Sequence, residues 1–482
     1  MPVSPAYEPA PTHAALGDQF FDPVEAADFP FHRLRYRNQR WARRIGLDTL
    51  TDEEWLNHFG RFAALPGNLP HPLALRYHGH QFGVYNPYLG DGRGFLFAQM
   101  REKETHRLLD LGTKGSGKTP WSREGDGRLT LNGGLREVLA TEMLEALGVE
   151  TSKSFSLIET GEQLMRGDEP SPTRSSVLVR LSHSHIRIGT FQRFANLKDT
   201  ESLRALLDHS ITFYMPEAWD ESPRQRALRF LGGVSSRVAK MGAQWMAAGF
   251  VHGVLNSDNI NITGESFDYG PWRFLPTYDP EFTAAYFDQG GRYAYGRQPS
   301  VLLWNLTRLA ECLEVFAAPE ELMAILQEFT PAIQRDFAAS VLRRLGLIPR
   351  GFSEDLKLAN GLFSFMRATA APFEQIFFDL FGGLVDQTRM ERSAAAPAYR
   401  APEFTSLRTL LDDYQPMAGI NLQHRYFQRA APCTMLIEEV QSLLDAIRQS
   451  EDWSLFAAKL ADIAEMADAY SGTSAQENAP EA

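Results

Sequence analysis

Three side chains of the segment HGVLNSDNINITGESFDYG, residues 252–270, are candidate oxygen ligands for a metal ion. Asp258 and Asn259 are adjacent, and Asp268 follows near the end of the segment. Carboxylate and amide oxygens are ligands for Mg²⁺ or Mn²⁺, which take few protein oxygens and share nucleotide phosphates as further ligands. The segment therefore predicts a divalent metal site beside a bound nucleotide, with one carboxylate available to accept a proton.

A glycine-rich turn, a lysine and a glutamate precede this segment in an order that suits phosphate binding. The turn LGDGRG spans 89–94, where glycines let backbone amides approach a phosphate and Arg93 adds a charged donor. Lys114 ends the strand-like stretch RLLDLGTK, and Glu137 lies on the helix-like stretch that follows. Each feature alone is typical of an ordinary turn or a solvated charge, but their order favours a nucleotide site.

Other motifs in the same region are weaker evidence for nucleotide or metal binding. GTKGSGKT at 112–119 matches the Walker A pattern, but Pro120 and polar residues follow it where a P-loop requires a helix. The histidines of HGH at 78–80 and of SHSHIR have no nearby carboxylate, which favours structural roles over metal binding. Arg180 and Arg187 could bind a polyphosphate or form surface salt bridges.

These motifs are distributed over two kinds of predicted structure. Strand-like stretches interrupted by glycine cover 72–115 and return at SFSLIET and SSVLVRLS, which predicts an antiparallel sheet. LREVLATEMLEALG predicts a helix closed by Gly148, and helical periodicity dominates after about residue 200. The predicted fold class is α+β. The Pro- and Ala-rich first twenty or so residues predict a mobile start, and Met390–Phe404 predicts a linker or surface loop.

Composition limits the classes of function. The chain has 482 residues, of which 44% are hydrophobic, enough for a large core or several domains. Its net charge of -12 disfavours nonspecific binding to nucleic acid or anionic membranes. No apolar run approaches a membrane span and no signal peptide is evident. Cys312 and Cys433 are isolated, which fits a reducing compartment, so we expect a cytoplasmic location.

The order of the motifs is similar to that of protein kinases. His252 and Asn259 keep the spacing of the kinase catalytic loop, and Asp268-Tyr269-Gly270 stands where Asp-Phe-Gly binds metal. The position of the kinase base, two residues after the histidine, is occupied by Val254. The segment can therefore hold metal and nucleotide, but ordinary transfer of the γ-phosphate would need another base, for which Asp258 is the candidate.

Long collinear strings resemble one family in particular, the selenoprotein O / YdiU family of pseudokinase-fold protein nucleotidyltransferases. The strings include HGHQFGVYNPYLGDGRG, DLGTKGSGKTPWSREGDGR, SHIRIGTF, HGVLNSDN and FDYGPWRFLPTYDPEF, and the dense match covers roughly 70–315. The resemblance implies transfer of AMP from ATP, or UMP from UTP, to Ser, Thr or Tyr hydroxyls of proteins, with release of pyrophosphate. The implied partners are protein substrates and a nucleoside triphosphate, with neither nucleic acid nor membrane.

The resemblance also implies a protein-kinase-like two-lobed fold with an extra helical C-terminal region. The predicted division of the chain is an N-terminal extension at 1–70, a sheet-rich N-lobe with nucleotide-binding loops at 71–195, a mostly helical C-lobe with catalytic and metal loops at 196–390, a C-terminal helical region at 391–470 and a disordered tail at 471–482. Family members commonly carry a redox cysteine near the C-terminus, whereas this chain has none after Cys433.

Roles for individual residues follow from the matching motifs. Asp258 is implied as the proton acceptor, Asn259 and Asp268 as ligands of Mg²⁺ or Mn²⁺, and Glu137 as the residue that orients Lys114. The implied nucleotide-binding positions are Gly90, Gly92, Arg93, Lys114, Asp126, Gly127, Arg180, Arg187 and Asp268. Two alternatives stay open: an atypical kinase, which Val254 disfavours, and a non-catalytic nucleotide-binding scaffold, which has no need of this complete set.

Overall fold

The computed structural model describes residues 3–473 of the chain, so the expected disordered tail lies outside the described residues from position 474 onward. The strands are β1 (Phe21–Pro23), β2 (Arg33–Arg37), β3 (Leu73–Leu75), β4 (Gly79–Gln81), β5 (Val84–Asn86), β6 (Leu96–Arg101), β7 (Leu108–Lys114), β8 (Leu129–Thr130), β9 (Lys153–Leu164), β10 (Thr173–Ser182), β11 (Phe250–Val251) and β12 (Arg273–Phe274). The helices are α1 (Gln39–Arg44), α2 (Asp52–Phe59), α3 (Leu131–Ala146), α4 (Ile188–Asn196), α5 (Thr200–Tyr214), α6 (Pro223–Ala247), α7 (Gln298–Leu313), α8 (Pro319–Gln327), α9 (Phe329–Leu345), α10 (Phe352–Thr369), α11 (Phe373–Asp379), α12 (Thr388–Arg392), α13 (Ala396–Tyr399), α14 (Pro402–Leu411), α15 (Ile437–Ser450) and α16 (Ser454–Tyr470).

An eight-stranded antiparallel sheet forms the first part of the chain. Its strand order is β1-β3-β6-β7-β10-β9-β2, with β8 paired to β10. Both faces of its centre are buried: Val177 and Val179 of β10 pack on one side and Leu178 on the other. This double burial explains the nearly continuous apolar run of that strand. Helices dominate from residue 188 onward, so the α+β prediction is confirmed.

Helix α3 carries the glutamate predicted to meet the strand lysine. Thr130 caps its start by accepting a hydrogen bond from the backbone N of Gly133 at 3.0 Å. Gly148, with a left-handed φ of 75°, follows its end as the sequence predicted. The helix packs against β9 and β10, and Glu137 is only 1% exposed on its sheet-facing side.

Residues before position 71 are part of the same sheet and its cover. β1 pairs with β3 and β2 pairs with β9. Helices α1 and α2 lie over one face of the sheet, where Trp41 and Trp55 are buried in a core with Phe155. The N-terminal segment thereby supplies both edge strands of the sheet, β1 and β2, and a covering layer for the strands that carry the site.

The prediction of a mobile start was wrong for the part of the first twenty residues that the structure describes. The backbone N of Ala10 donates to the carbonyl of Gln99 at 2.9 Å, and Phe20 is 1% exposed. β3 pairs with β6 only at Leu73 and Leu96, so the rest of the β6 edge is available to residues 9–10. This long-range backbone pairing has no local sequence signal.

The segment Met390–Phe404 is not an extended linker. It contains the end of α12, all of α13 and the start of α14, and Met390 and Ala395 are buried in a core with Leu358. Proline occupies the first turn of both α13 and α14, where it lacks no helical hydrogen bond, so short helices form in this Pro-rich segment. Within residues 3–473, no helix is long and apolar enough to cross a membrane.

Candidate functional site

A cleft of about 630 Å³ lies where the sheet meets the helical part of the chain. Its walls come from the glycine-rich turn after β5, the end of β7, the loop before β8, the end of β10 with the residue before α4, and the segment between β11 and β12. The predicted site residues that line it are Gly90, Gly92, Arg93, Lys114, Asp126, Gly127, Arg180, Arg187, Asp258 and Asp268. The other two, Glu137 and Asn259, each contact one of these residues.

Lys114 connects two carboxylates at the inner end of the cleft. It is the last residue of β7, is 4% exposed, and forms ion pairs with Glu137 and with Asp268, the latter at 2.8 Å between Nζ and Oδ1. Burial opposes ionisation of Asp268, but Lys114 and Arg180 hold the pKa of its carboxyl well below the usual range. A permanently ionised carboxylate is therefore fixed between two cations.

Asp268 and Asn259 form a polar pair suited to a divalent cation. Asn259 Nδ2 donates to Asp268 Oδ2 at 3.1 Å, while the buried Asn259 Oδ1 has no hydrogen-bond partner among the described residues. An unsatisfied amide oxygen beside a carboxylate is the donor set of a cation site that also takes phosphate oxygens. The residues present therefore fit Mg²⁺ or Mn²⁺.

Asp258 lies in a short 3-10 turn, Ser257–Asn259, and points into the same cleft. It is 9% exposed, and its buried Oδ1 has no hydrogen-bond partner among residues 3–473. Burial raises the pKa of its carboxyl to about 6, and the positive charge of Arg187 is the largest opposing influence. Gly79 borders it so closely that an added β-carbon would lie 3.0 Å from Oδ1. The carboxylate is thus ionised at neutral pH and has a free lone pair.

Arg180 and Arg187 approach the cleft from two different elements. Arg180 is near the end of β10, which stops at Ser182. Arg187 lies beyond that strand and immediately precedes α4. Neither one continuous helix nor one continuous strand relates them, so their seven-residue spacing did not predict their arrangement. The Arg180 guanidinium bonds Asp268 at 3.1 Å, and Arg187 bonds Asp91 at 3.2 Å.

The Walker-like segment forms a loop that supports the glycine-rich turn. The Thr119 hydroxyl donates to the carbonyl of Asp91 at 2.6 Å, and the Ser122 hydroxyl donates to the carbonyl of Gly92 at 2.5 Å. A β-carbon at Gly90 would lie 2.4 Å from the Trp121 ring, so only glycine fits there. No helix opens after this motif, and the next one begins at Leu131, so the segment is not a P-loop.

The loop EGDGR reaches the outer end of the cleft. Asp126 accepts a hydrogen bond from the backbone N of Arg128 at 3.0 Å and pairs with Arg166 of the β9–β10 hairpin at 2.8 Å. Gly127 has a φ of 71°, and a β-carbon there would lie 2.2 Å from the backbone of Gly117. Sequence reasoning did not identify Arg166, because only the pairing of β9 with β10 brings its hairpin to this loop.

The histidines near the site have structural partners. His252 is 1% exposed and its Nε2 lies 3.0 Å from the carbonyl of Phe267, which ties the turn carrying Asp258 to the loop carrying Asp268. His185 donates its backbone N to Asp110 at 2.9 Å, and His78 Nδ1 lies 2.6 Å from the Tyr85 hydroxyl. Within the described residues, no three His, Cys, Asp or Glu side chains are grouped to hold a metal ion.

Comparison with known proteins places most of the chain in one family. A family model described as "Protein adenylyltransferase SelO" matches residues 4–464. A "Protein nucleotidyltransferase YdiU" from Gloeobacter violaceus is 46% identical over 463 residues, 93% of this chain and 93% of that protein. Relatives with the same name are 54% identical in Synechococcus elongatus, over 70% of this chain and 68% of that protein, and 42% identical in Trichodesmium erythraeum, over 93% and 96% respectively.

Proposed function

The chain belongs to the protein adenylyltransferase SelO family and is a protein nucleotidyltransferase, and on this premise we propose that it transfers AMP from ATP, or UMP from UTP, to Ser, Thr or Tyr hydroxyls of protein substrates. The main structural support for the proposal is the arrangement of charged groups in the cleft. A buried carboxylate with an unpartnered oxygen, Asp258, shares a cleft with the cations Lys114, Arg180 and Arg187. A proton acceptor facing a phosphate-binding wall is the arrangement that nucleotidyl transfer to a hydroxyl needs.

The proposed reaction has one bond-forming and one bond-breaking event at the α-phosphorus. The substrate hydroxyl gives its proton to the Asp258 carboxylate, and its oxygen forms a bond to the α-phosphorus. The bond from the α-phosphorus to the oxygen bridging to the β-phosphorus breaks, and pyrophosphate leaves with that electron pair. Because Asp258 has an unpartnered oxygen, it can accept the proton without first breaking a hydrogen bond in the protein.

The remaining site residues bind and orient the nucleotide in this proposal. Arg93 and the backbone of Gly90 and Gly92 face the phosphates from the glycine-rich turn, while Asp126 and Gly127 border the outer end of the cleft. Lys114 contributes a cation whose direction is fixed by Glu137. Such fixed charges stabilise the phosphoryl group in the transition state without reorganising.

Asn259 and Asp268 would hold Mg²⁺ or Mn²⁺, as the unpartnered amide oxygen beside the carboxylate supports. When bound, the cation neutralises phosphate charge and aligns the nucleotide. The protein's own contribution is to keep Asp268 ionised through Lys114 and Arg180 and to aim it with a left-handed backbone, at a φ of 62°.

The finer architecture is also part of the proposal. We interpret the sheet-rich part as a kinase-like N-lobe at 71–195 and the helical part as a C-lobe at 196–390, followed by a helical region at 391–470. The buried pair of Lys114 with Glu137 supports this interpretation, since an ion pair between a strand lysine and a helix glutamate is expected of a kinase-like core. Both cysteines are buried and unpaired, which supports a reducing compartment, and we propose the cytoplasm.

The test uses the purified full-length protein with Mg²⁺ or Mn²⁺, a protein acceptor, and ATP labelled at either the α- or the γ-phosphate. We expect protein-bound label from the α-position only, lost in the variant Asp258→Asn. A parallel series with α-labelled UTP decides which nucleotide is preferred.

Label from the γ-position would instead establish a kinase, with Asp258 replacing the base that Val254 cannot supply. Nucleotide binding with no transfer from either position, across several acceptor proteins, would establish a scaffold. Each of these results contradicts the proposal. The position of the transferred label separates the kinase from the nucleotidyltransferase, and a binding titration with ATP identifies the scaffold.

A further inference from the structure

Most arginines that line the cleft already have carboxylate partners. The pairs are Arg128 with Glu162, Arg166 with Asp126, Arg180 with Asp268 and Arg187 with Asp91. Among the cleft-lining arginines of residues 3–473, this leaves Arg93 and Arg123 with no carboxylate within 4.0 Å. Arg93 belongs to the glycine-rich turn and has a place in the proposed function, whereas Arg123 has none.

Arg123 also has an unusual backbone. Its φ of 54° is left-handed, a conformation that a long side chain adopts at a cost. Asp268 is the other non-glycine residue with a positive φ that lines the cleft within the described chain. Strained residues of this kind concentrate where the position of a side chain matters for function. The backbone at Arg123 therefore resembles that of a residue already placed in the site.

The loop that carries Arg123 is fixed on both sides. Ser122, the preceding residue, donates its hydroxyl to the carbonyl of Gly92 and accepts a hydrogen bond from the backbone N of Thr119 at 2.9 Å. The backbone N of Gly125 donates to the carbonyl of Ser122 at 2.8 Å, which closes a tight turn around Arg123. The guanidinium is exposed at the mouth of the cleft, but its point of attachment is held against the glycine-rich turn.

Arg123 lines the same cleft as Asp258, the proposed proton acceptor. The glycine-rich turn that holds the Arg123 loop also approaches Asp258, since a β-carbon at Gly79 would lie 3.0 Å from Asp258 Oδ1 and 3.1 Å from the side chain of Leu89. Because the substrate hydroxyl is activated at Asp258, the phosphorus that it attacks must lie beside that carboxylate. A cation at this end of the cleft is therefore next to the group undergoing transfer.

We infer that Arg123 is a further catalytic residue, which contacts a non-bridging oxygen of the α-phosphoryl group as the hydroxyl attacks. This inference rests on the proposed function and adds a residue to it. Arg123 is suited to the role because its guanidinium is not engaged by a carboxylate and can follow the phosphoryl group as its geometry changes.

The experiment compares the variants Arg123→Gly and Arg123→Lys with Arg204→Ala, which removes an exposed arginine from α5 outside the cleft. The measurements are kcat and KM for transfer of α-labelled ATP, the Kd for ATP without acceptor, and the midpoint of thermal unfolding. We expect Arg123→Gly to lower kcat by about 100-fold, the effect of losing one preorganised donor, with Kd changed by less than about threefold. Its unfolding midpoint should stay level or rise, since glycine adopts a positive φ without strain.

Arg123→Lys keeps the charge and should recover part of the lost kcat, while Arg204→Ala should behave as the wild type. The inference is overturned if Arg123→Gly keeps kcat within about threefold, or if it weakens the Kd for ATP with kcat unchanged, which would make Arg123 a binding residue only. If Arg123→Gly does not fold, the kcat of Arg123→Lys against wild type decides. A wild-type protein that transfers no α-label contradicts the proposed function itself, which is a separate result.

Discussion

Replacing Asp258 by asparagine should remove activity and stabilise the fold at the same time. The carboxyl is 9% exposed, and burial raises its pKa from the ordinary 3.8 to about 6. In the unfolded chain it ionises at the lower value. The native state therefore loses stability as the pH rises from about 4 to about 6, and the loss persists at higher pH.

The size of that loss follows from the shift. The pKa of Asp258 rises by about two units on folding, and at 1.36 kcal/mol per unit this corresponds to a loss of about 3 kcal/mol in the free energy of unfolding at pH 7.5. Asparagine has nearly the same shape and carries no charge at any pH, so it avoids this cost. The same change removes the proton acceptor, and the loss of a general base lowers kcat by about 10²- to 10⁴-fold.

Two measurements test the prediction. The first is the free energy of unfolding of wild type and Asp258→Asn, without nucleotide and with a chelator so that no cation neutralises the carboxylate. The second is kcat for transfer of α-labelled ATP. Asp18→Asn, at an exposed position, is the control and should change neither. Equal or lower stability in Asp258→Asn would refute the inferred burial cost, and a kcat within tenfold of wild type would refute the role as proton acceptor.

Of three further predictions, two concern the supports of the site and one concerns the buried His13 of the N-terminal segment. Glu137→Gln removes the buried charge that orients Lys114, so a binding titration should show the Kd for ATP raised about tenfold. An unchanged Kd would show that other contacts suffice to orient the lysine. Gly90→Ala places a β-carbon 2.4 Å from the Trp121 ring, so it should weaken ATP binding and alter tryptophan fluorescence. Replacing Trp121 by alanine in the same variant removes the clash and should restore part of the binding. Burial lowers the pKa of His13 from 6.5 to about 4, so the contribution of His13 to stability should be complete above about pH 6.5 and fall by about 2 kcal/mol on going to pH 5. Denaturant titrations at the two pH values should therefore show a stability change that differs by about that amount between wild type and His13→Asn, and equal changes would contradict the inferred burial cost.

Much of the site could be predicted from local sequence because its parts are short and chemically distinctive. The order of glycine-rich turn, strand-end lysine, helix glutamate and the segment containing Asp258, Asn259 and Asp268 could be read without structure. Periodicity predicted the sheet and α3, since strands and helices impose different spacings on apolar residues. The Walker-like motif was correctly rejected because a proline and polar residues follow it.

Other features depend on residues far apart in the chain. The support of the glycine-rich turn by Thr119, Ser122 and Trp121 arises from contacts across about thirty residues, and no local pattern marks them. The contact of Arg166 with Asp126 requires the register of the β9–β10 hairpin. The pairing of the N-terminal segment with β6 depended on a free strand edge, which composition cannot indicate.

The sequence by itself determined which side chains of this protein can accept a proton, bind phosphate or hold a cation. Side-chain chemistry and short-range spacing are properties of the chain. Only the tertiary structure decided which groups are left without partners. Asp258 and Asn259 each keep a buried oxygen free, and Arg123 lacks a carboxylate partner whereas Arg180 and Arg187 each have one. Burial and pairing depend on long-range packing, and they separate the groups available for catalysis from those that serve the fold.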